Sequence, residues 1–306
     1  MNKISRNMVL CVSLLALVSL ALATGCRSTG QASMERNVNG KKGILVVSFG
    51  TSFPETRKVT IEACEERIAD AFPDYEVRRA FTSHIIIKIL KEEGLHIDRP
   101  GEALRKMHDD GFSEVIVQPL HVMAGEEFHE KILKNVARFE GAFETLEVGR
   151  PLLIYAEDYD ETIEAVESQL PSMGRGEAVV FMGHGTHHPA NATYSMLQLK
   201  LTAAGLPVYV GTVEGFPTLD EILPALKAAS VRKVTLMPFM IVAGDHASND
   251  MAGDEEGSWK SILRKEGFDV EIYLHGLGEN QAIQDIYVQH VRDAMEGHEH
   301  GGGHGH

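Results

Sequence analysis

Cysteine is nearly absent: three occur in 306 residues. Cys11 and Cys26 lie in or beside an apolar leader, so Cys64 is effectively alone and no disulfide framework can hold the fold. It reads as a small core residue on a helix. Basic charge is also scarce, with 29 Lys and Arg against 44 Asp and Glu and a formal charge of -15. Without a basic face, nucleic acid is excluded as a partner, because phosphate neutralisation requires one. There is no GxxxxGK[ST] string, which argues against a nucleotide-driven reaction. HExxH and a recognisable nucleophile are missing too, which leaves little for a zinc hydrolase. What remains is ordinary globular composition, 43% hydrophobic and 24% charged, enough for one large or two medium domains.

The two ends stand apart. Lys3 and Arg6 precede an apolar run from Met8 to Ala23 that closes in small residues, the pattern of a secretory leader over residues 1–26. Ala21-Leu22-Ala23 fits ordinary cleavage, whereas Ala23-Thr24-Gly25-Cys26 resembles a lipoprotein box, with a lipid anchor at Cys26 as the alternative. No second apolar run of about 18 residues follows, so no membrane span is expected and the mature chain should be exported, periplasmic and soluble. At the other end, residues 297–306 form a Gly/His-rich tail containing His298, His300, His304 and His306. Such tracts bind metal by composition; an inert end is the plain alternative.

Between the ends, apolar β-branched runs alternate with helical periodicity. Strands are predicted at Ile44–Phe49, Tyr75–Phe81, Glu114–Val122 and Glu144–Leu153, then at Ala178–Gly183, Pro207–Val213, Lys233–Val242 and Asp269–Gly276. Continuous apolar strands separated by helices imply parallel sheets covered on both faces, an α/β fold. Two domains are expected, 41–174 and 175–296, with the linker near Pro171 to Glu177. EVIVQPLHVMAGEE and KVTLMPFMIVAGDH share Pro119 with Pro238 and Ala124-Gly125 with Ala243-Gly244 at one offset, and SFGTS and GHGTHH each follow a first strand. This indicates an internal duplication in which Glu127 matches His246.

In open parallel sheets the site forms at the carboxyl ends of the strands. His184, Glu214 and His246 occupy three such ends in the second half. Two imidazoles and one carboxylate with open positions suit a borderline divalent metal such as Co, Ni, Fe or Zn. The acids beyond them, Asp254, Glu255 and Glu256, read as a solvated loop.

The strings LVVSFGTS, RAFTS, FMGHG, GTVEGFP, LMPFMIVAGDHASNDMAG, SWK and GLGEN, in this order from about Lys42 to Met295, resemble the anaerobic sirohydrochlorin cobaltochelatases, which are class II chelatases of the early-insertion cobalamin pathway. The resemblance implies two flavodoxin-like or Rossmann-like domains with the macrocycle in the cleft between them. It also implies His184 and His246 as the metal-binding and proton-accepting pair, and Glu214 as third ligand. Co2+ would be the substrate metal, with Fe2+ as second candidate, and a homo-oligomer is expected. Ser48, Phe49, Gly50 and Thr51 would offer N–H groups and hydroxyls to the substrate's carboxylates. Arg79 would add positive charge, or simply be a solvated strand residue; His121 would face the cleft, or be a hydrogen-bonded structural histidine.

The export leader departs from a cytoplasmic biosynthetic role. His96 has no counterpart in the family pattern and is a candidate axial ligand to haem, with an inert loop histidine as the alternative. His187 and His188 would tune His184 or be loop residues. The competing reading is therefore an exported metal or tetrapyrrole delivery protein on a chelatase fold.

Overall fold

The computed structural model describes residues 34–297. The leader, Cys26 and the tail histidines lie outside the described residues.

All eight predicted strands are present. They are β1 (Lys41–Ser48), β2 (Glu76–Phe81), β3 (Phe112–Pro119), β4 (Thr145–Val148), β5 (Glu177–Gly183), β6 (Val208–Thr212), β7 (Lys233–Pro238) and β8 (Asp269–Ile272). They form two parallel sheets of identical order, β2-β1-β3-β4 and β6-β5-β7-β8. β3 and β7 stop short of the predicted Val122 and Val242, each at its proline. Proline has no N–H to donate to a ladder, so the chain leaves the sheet there although its apolar character continues.

The second half repeats the first in hydrogen-bond detail. Val47 of β1 pairs with Pro119 as Met182 of β5 pairs with Pro238. Leu120 N donates to Val47 O and Phe239 N to Met182 O; Ser83 N donates to Phe49 O and Glu214 N to His184 O. Past the prolines, His129 N reaches Gly125 O as Ser248 N reaches Gly244 O, opening a π-turn in each half.

One hydrophobic core contains residues of both halves, among them Ile44, Phe81 and Ile116 with Val179, Phe181 and Phe239. The final helix, Gln281–Glu296, follows β8 in the chain yet packs on β3, β4 and the helices Ala63–Ala71 and Ala156–Glu167 of the first half. The segment that the sequence boundary puts in the second domain therefore completes the core of the first. Arg150, behind β4, ties the crossing down: its Nε lies 3.0 Å from Asp158 and its Nη1 2.5 Å from Asp293 of that last helix. Cys64 is fully buried, and burial pushes its thiol up to about 12, so it is an inert core residue. Among the described residues no helix is long and apolar enough to cross a membrane.

Candidate metal centre

His184 follows the last residue of β5, Glu214 lies two residues past β6, and His246 opens the π-turn after β7. Their ligand atoms all lie within 4.8 Å of one another. The imidazoles meet edge to face at 4.8 Å between centroids, and His184 Nδ1 is 3.9 Å from Glu214 Oε2. The side chains remain open to solvent, 45%, 56% and 33% exposed respectively, so an ion held here keeps free positions. Each ring has its Nδ1 committed: His184 donates to Gly185 O at 2.9 Å, and His246 to Asp250 Oδ2 at 2.7 Å. Carbonyl and carboxylate oxygens only accept, so both protons sit on Nδ1 and each neutral ring keeps its lone pair on Nε2.

Local sequence brings the loops together. Gly185 has φ +80, and a Cβ there would fall 2.5 Å from Gly215 N; one on Gly215 would strike Asn191 and Thr186. Only glycines let the His184 and Glu214 loops press this closely. Asn191 ties them, accepting from Thr186 N at 3.0 Å and donating to Phe216 O at 2.5 Å. The Tyr194 hydroxyl accepts from Gly185 N beneath the loop, and burial pushes it up to about 12. Sequence patterning does not single out Asn191 or Tyr194, since each is an ordinary residue of a helical segment.

By the strand and turn equivalences, the first half carries Phe49, Ser83 and Glu127 where the second carries His184, Glu214 and His246. Among the described residues the metal-ligand cluster lies in the second half. The two sets of strand ends nonetheless adjoin, because His129 of the first half stacks on His188 of the second at 5.4 Å and 28°. His188 Nδ1 accepts from Ala190 N, so this ring contributes to the loop and to the contact between halves. His187 is not in the metal cluster.

The expected substrate wall is at the first-half strand ends. Ser48 and Thr51 are 3% and 4% exposed, Phe49 is 49% exposed, and Gly50 turns at φ +96 where a Cβ would meet the Phe81 ring at 2.4 Å. Ser48 Oγ has no hydrogen-bond partner among the described residues. Arg79 differs from both expectations. It lies mid-strand opposite Val46, and its guanidinium is held by Glu65 and Glu62, so neither solvent nor a substrate carboxylate has first claim on it. His121 is not the hydrogen-bonded structural histidine of the alternative: its ring nitrogens are buried and lack hydrogen-bond partners among the described residues. Glu127 Oε2 is likewise buried without a partner, beside the same strand ends. His96 is exposed in the loop before the helix Pro100–Asp109 and is not part of the metal cluster.

Burial pushes His121 from 6.5 down to about 4. The unfolded chain takes up this proton near 6.5 and the folded chain resists until about 4, so His121 makes stability fall as pH drops through that interval. His121→Leu is expected to flatten this part of the profile; urea midpoints at pH 7, 5.5 and 4 that change in parallel for both chains would count against it.

Known proteins resemble this chain in sequence and in fold. The family model described as cobalt chelatase (CbiK) matches residues 42–296. The chain is 43% identical over 256 residues to the sirohydrochlorin cobaltochelatase of Salmonella typhimurium, covering 83% of this chain and 97% of that protein. It is 38% identical over 258 residues to the sirohydrochlorin cobaltochelatase CbiKC of Nitratidesulfovibrio vulgaris, covering 83% and 91%. A sirohydrochlorin cobaltochelatase of Methanosarcina acetivorans aligns at 28% identity over 126 residues, covering 38% of this chain and 95% of that protein. In fold the chain resembles SirB from Bacillus subtilis, solved with Fe3+, at a TM-score of 0.57 and 16% identity, over 84% of this chain and 98% of that one. The duplicated parallel sheets thus belong to a known architecture, and this chain is a member of the CbiK cobalt chelatase family.

Proposed function

We propose that this protein inserts Co2+ into sirohydrochlorin without nucleotide, releasing two pyrrole protons. The observation that carries the reading is the convergence of His184, Glu214 and His246 at three adjoining strand ends, in a chain of this family. Three ligands with open positions load a divalent ion and still surrender it, whereas a closed four-ligand cage would retain it. Neutral imidazole ligates metal and also accepts protons near physiological pH, the two tasks that insertion demands. The half-exposed Phe49 and the Ser48–Thr51 turn stand at the matching strand ends of the first half, where an aromatic face and N–H groups suit a flat ring bearing eight carboxylates. Fe2+ is the second metal this N2O donor set suits.

The leader supports export to the periplasm, with a lipid anchor at Cys26 as the alternative processing. His96 is proposed as an accessible imidazole for haem.

The test is turnover. Purified mature protein, sirohydrochlorin and Co2+ without ATP should give an absorbance change that proceeds well beyond one equivalent of product. A change that stops at one equivalent would favour the delivery protein instead. Running Fe2+ in parallel ranks the metals.

A further inference from the structure

His246 and His184 are held differently. The Nδ1 of His184 bonds to the backbone carbonyl of Gly185, while that of His246 bonds to a carboxylate four residues along, Asp250 Oδ2 at 2.7 Å. Both acceptors fix the tautomer, but only Asp250 brings charge. The two halves provide a second, independent observation. At the offset that matches Glu127 with His246, Asp250 corresponds to Lys131. The histidine and its carboxylate occur together in the half that has the ligand set, and both are replaced in the half that lacks it.

We propose that Asp250 is a positioning residue for the metal: it holds His246 as the Nδ1–H tautomer, keeps Nε2 as the donor atom, and adds a negative charge behind the ring. The inference rests on the reading of His184, Glu214 and His246 as a metal triad. An imidazole 33% exposed at the start of a turn would otherwise rotate and exchange tautomers, and each alternative removes the lone pair from the ion. Glu214 alone leaves a divalent ion half-neutralised; Asp250 brings the local charge to balance. The adjacent Asn249 bonds to Asp245, so the neighbouring pair on the same turn does not compete for the imidazole. Carboxylates placed behind ligating histidines typically govern metal affinity by about 10–100-fold.

The experiment is a Co2+ titration of the mature protein without tetrapyrrole, followed by calorimetry and by the visible d–d bands, on the native chain, Asp250→Ala, Asp250→Asn and His184→Ala. Uptake that disappears in His184→Ala defines the triad, separating it from the tail histidines. Asp250→Ala is expected to weaken that uptake about 10–100-fold and to alter the bands, while Asp250→Asn, which keeps an acceptor but no charge, falls between. In turnover the KM for Co2+ should rise and that for sirohydrochlorin stay put. Thermal melts control for folding, and the near-isosteric Asn variant keeps the test available if the Ala variant is unstable. Native affinity and unchanged bands in Asp250→Ala overturn the proposal; native protein with no His184-dependent uptake overturns the triad itself, and the inference with it.

Discussion

His184→Ala and His246→Ala are each expected to reduce cobalt insertion by about 100- to 10,000-fold while the protein stays folded, the range over which a positioned proton acceptor contributes to rate. Neither side chain supports the core: both are partly exposed loop groups whose Nδ1 bonds are local. Circular dichroism and melting should therefore match the native chain, and the loss should appear in the rate. The two variants together should lose little more than either alone, because residues acting on one ion and one substrate are not additive. Near-native rates in both would remove the metal centre from the mechanism.

Arg150→Met is expected to destabilise the fold by about 3–5 kcal/mol, since removing one partner of a buried ion network leaves uncompensated charge. The guanidinium is 14% exposed and bonds to Asp158 and Asp293, which are 2% and 4% exposed at the side chain; His290 Nε2 stands 3.6 Å from Asp158. Urea denaturation measures it as a lower midpoint with an unchanged slope. A cost under about 1 kcal/mol would mean that the carboxylates are satisfied without Arg150. Burial alone would raise the Asp158 carboxyl. The nearby His290 imidazole and the N–H groups of Tyr155 and Ile154 outweigh it and hold the group below its ordinary 3.8. Its contribution is thus complete above about 3.8 and is lost as pH falls through the lower folded value, which separates it from the His121 effect at milder acidity.

Local pattern carried most of the fold and the ligand set, and it failed at identifiable places. The apolar runs located the central strands β1, β3, β5 and β7, because a strand covered on both faces is apolar over its buried length, while β2, β4 and β8 are partly exposed edge strands that carry charged residues between their apolar ones. The same reasoning overran Pro119 and Pro238, where hydrophobicity continues but the N–H needed for pairing does not. His184, Glu214 and His246 were legible because parallel topology sends every strand end to one edge, so three chemically apt residues at three strand ends had to converge. The surroundings of Arg79 and His121 were not, because a residue on a strand or just past its end reads identically whether its side chain meets solvent, a carboxylate or no polar partner.

By itself, then, the sequence determined the elements, their duplication and the three residues of the candidate metal centre, all of which follow from periodicity and from residue type at strand ends. Tertiary structure decided the rest. It placed the helix Gln281–Glu296 on the opposite half, engaged Arg79 with Glu65 and Glu62, buried the ring nitrogens of His121 without partners among the described residues, and set Asp250 behind His246. These outcomes depend on which surfaces meet after the chain has folded back on itself. Amphipathic spacing says that a helix must bury one face, but not against which half it does so.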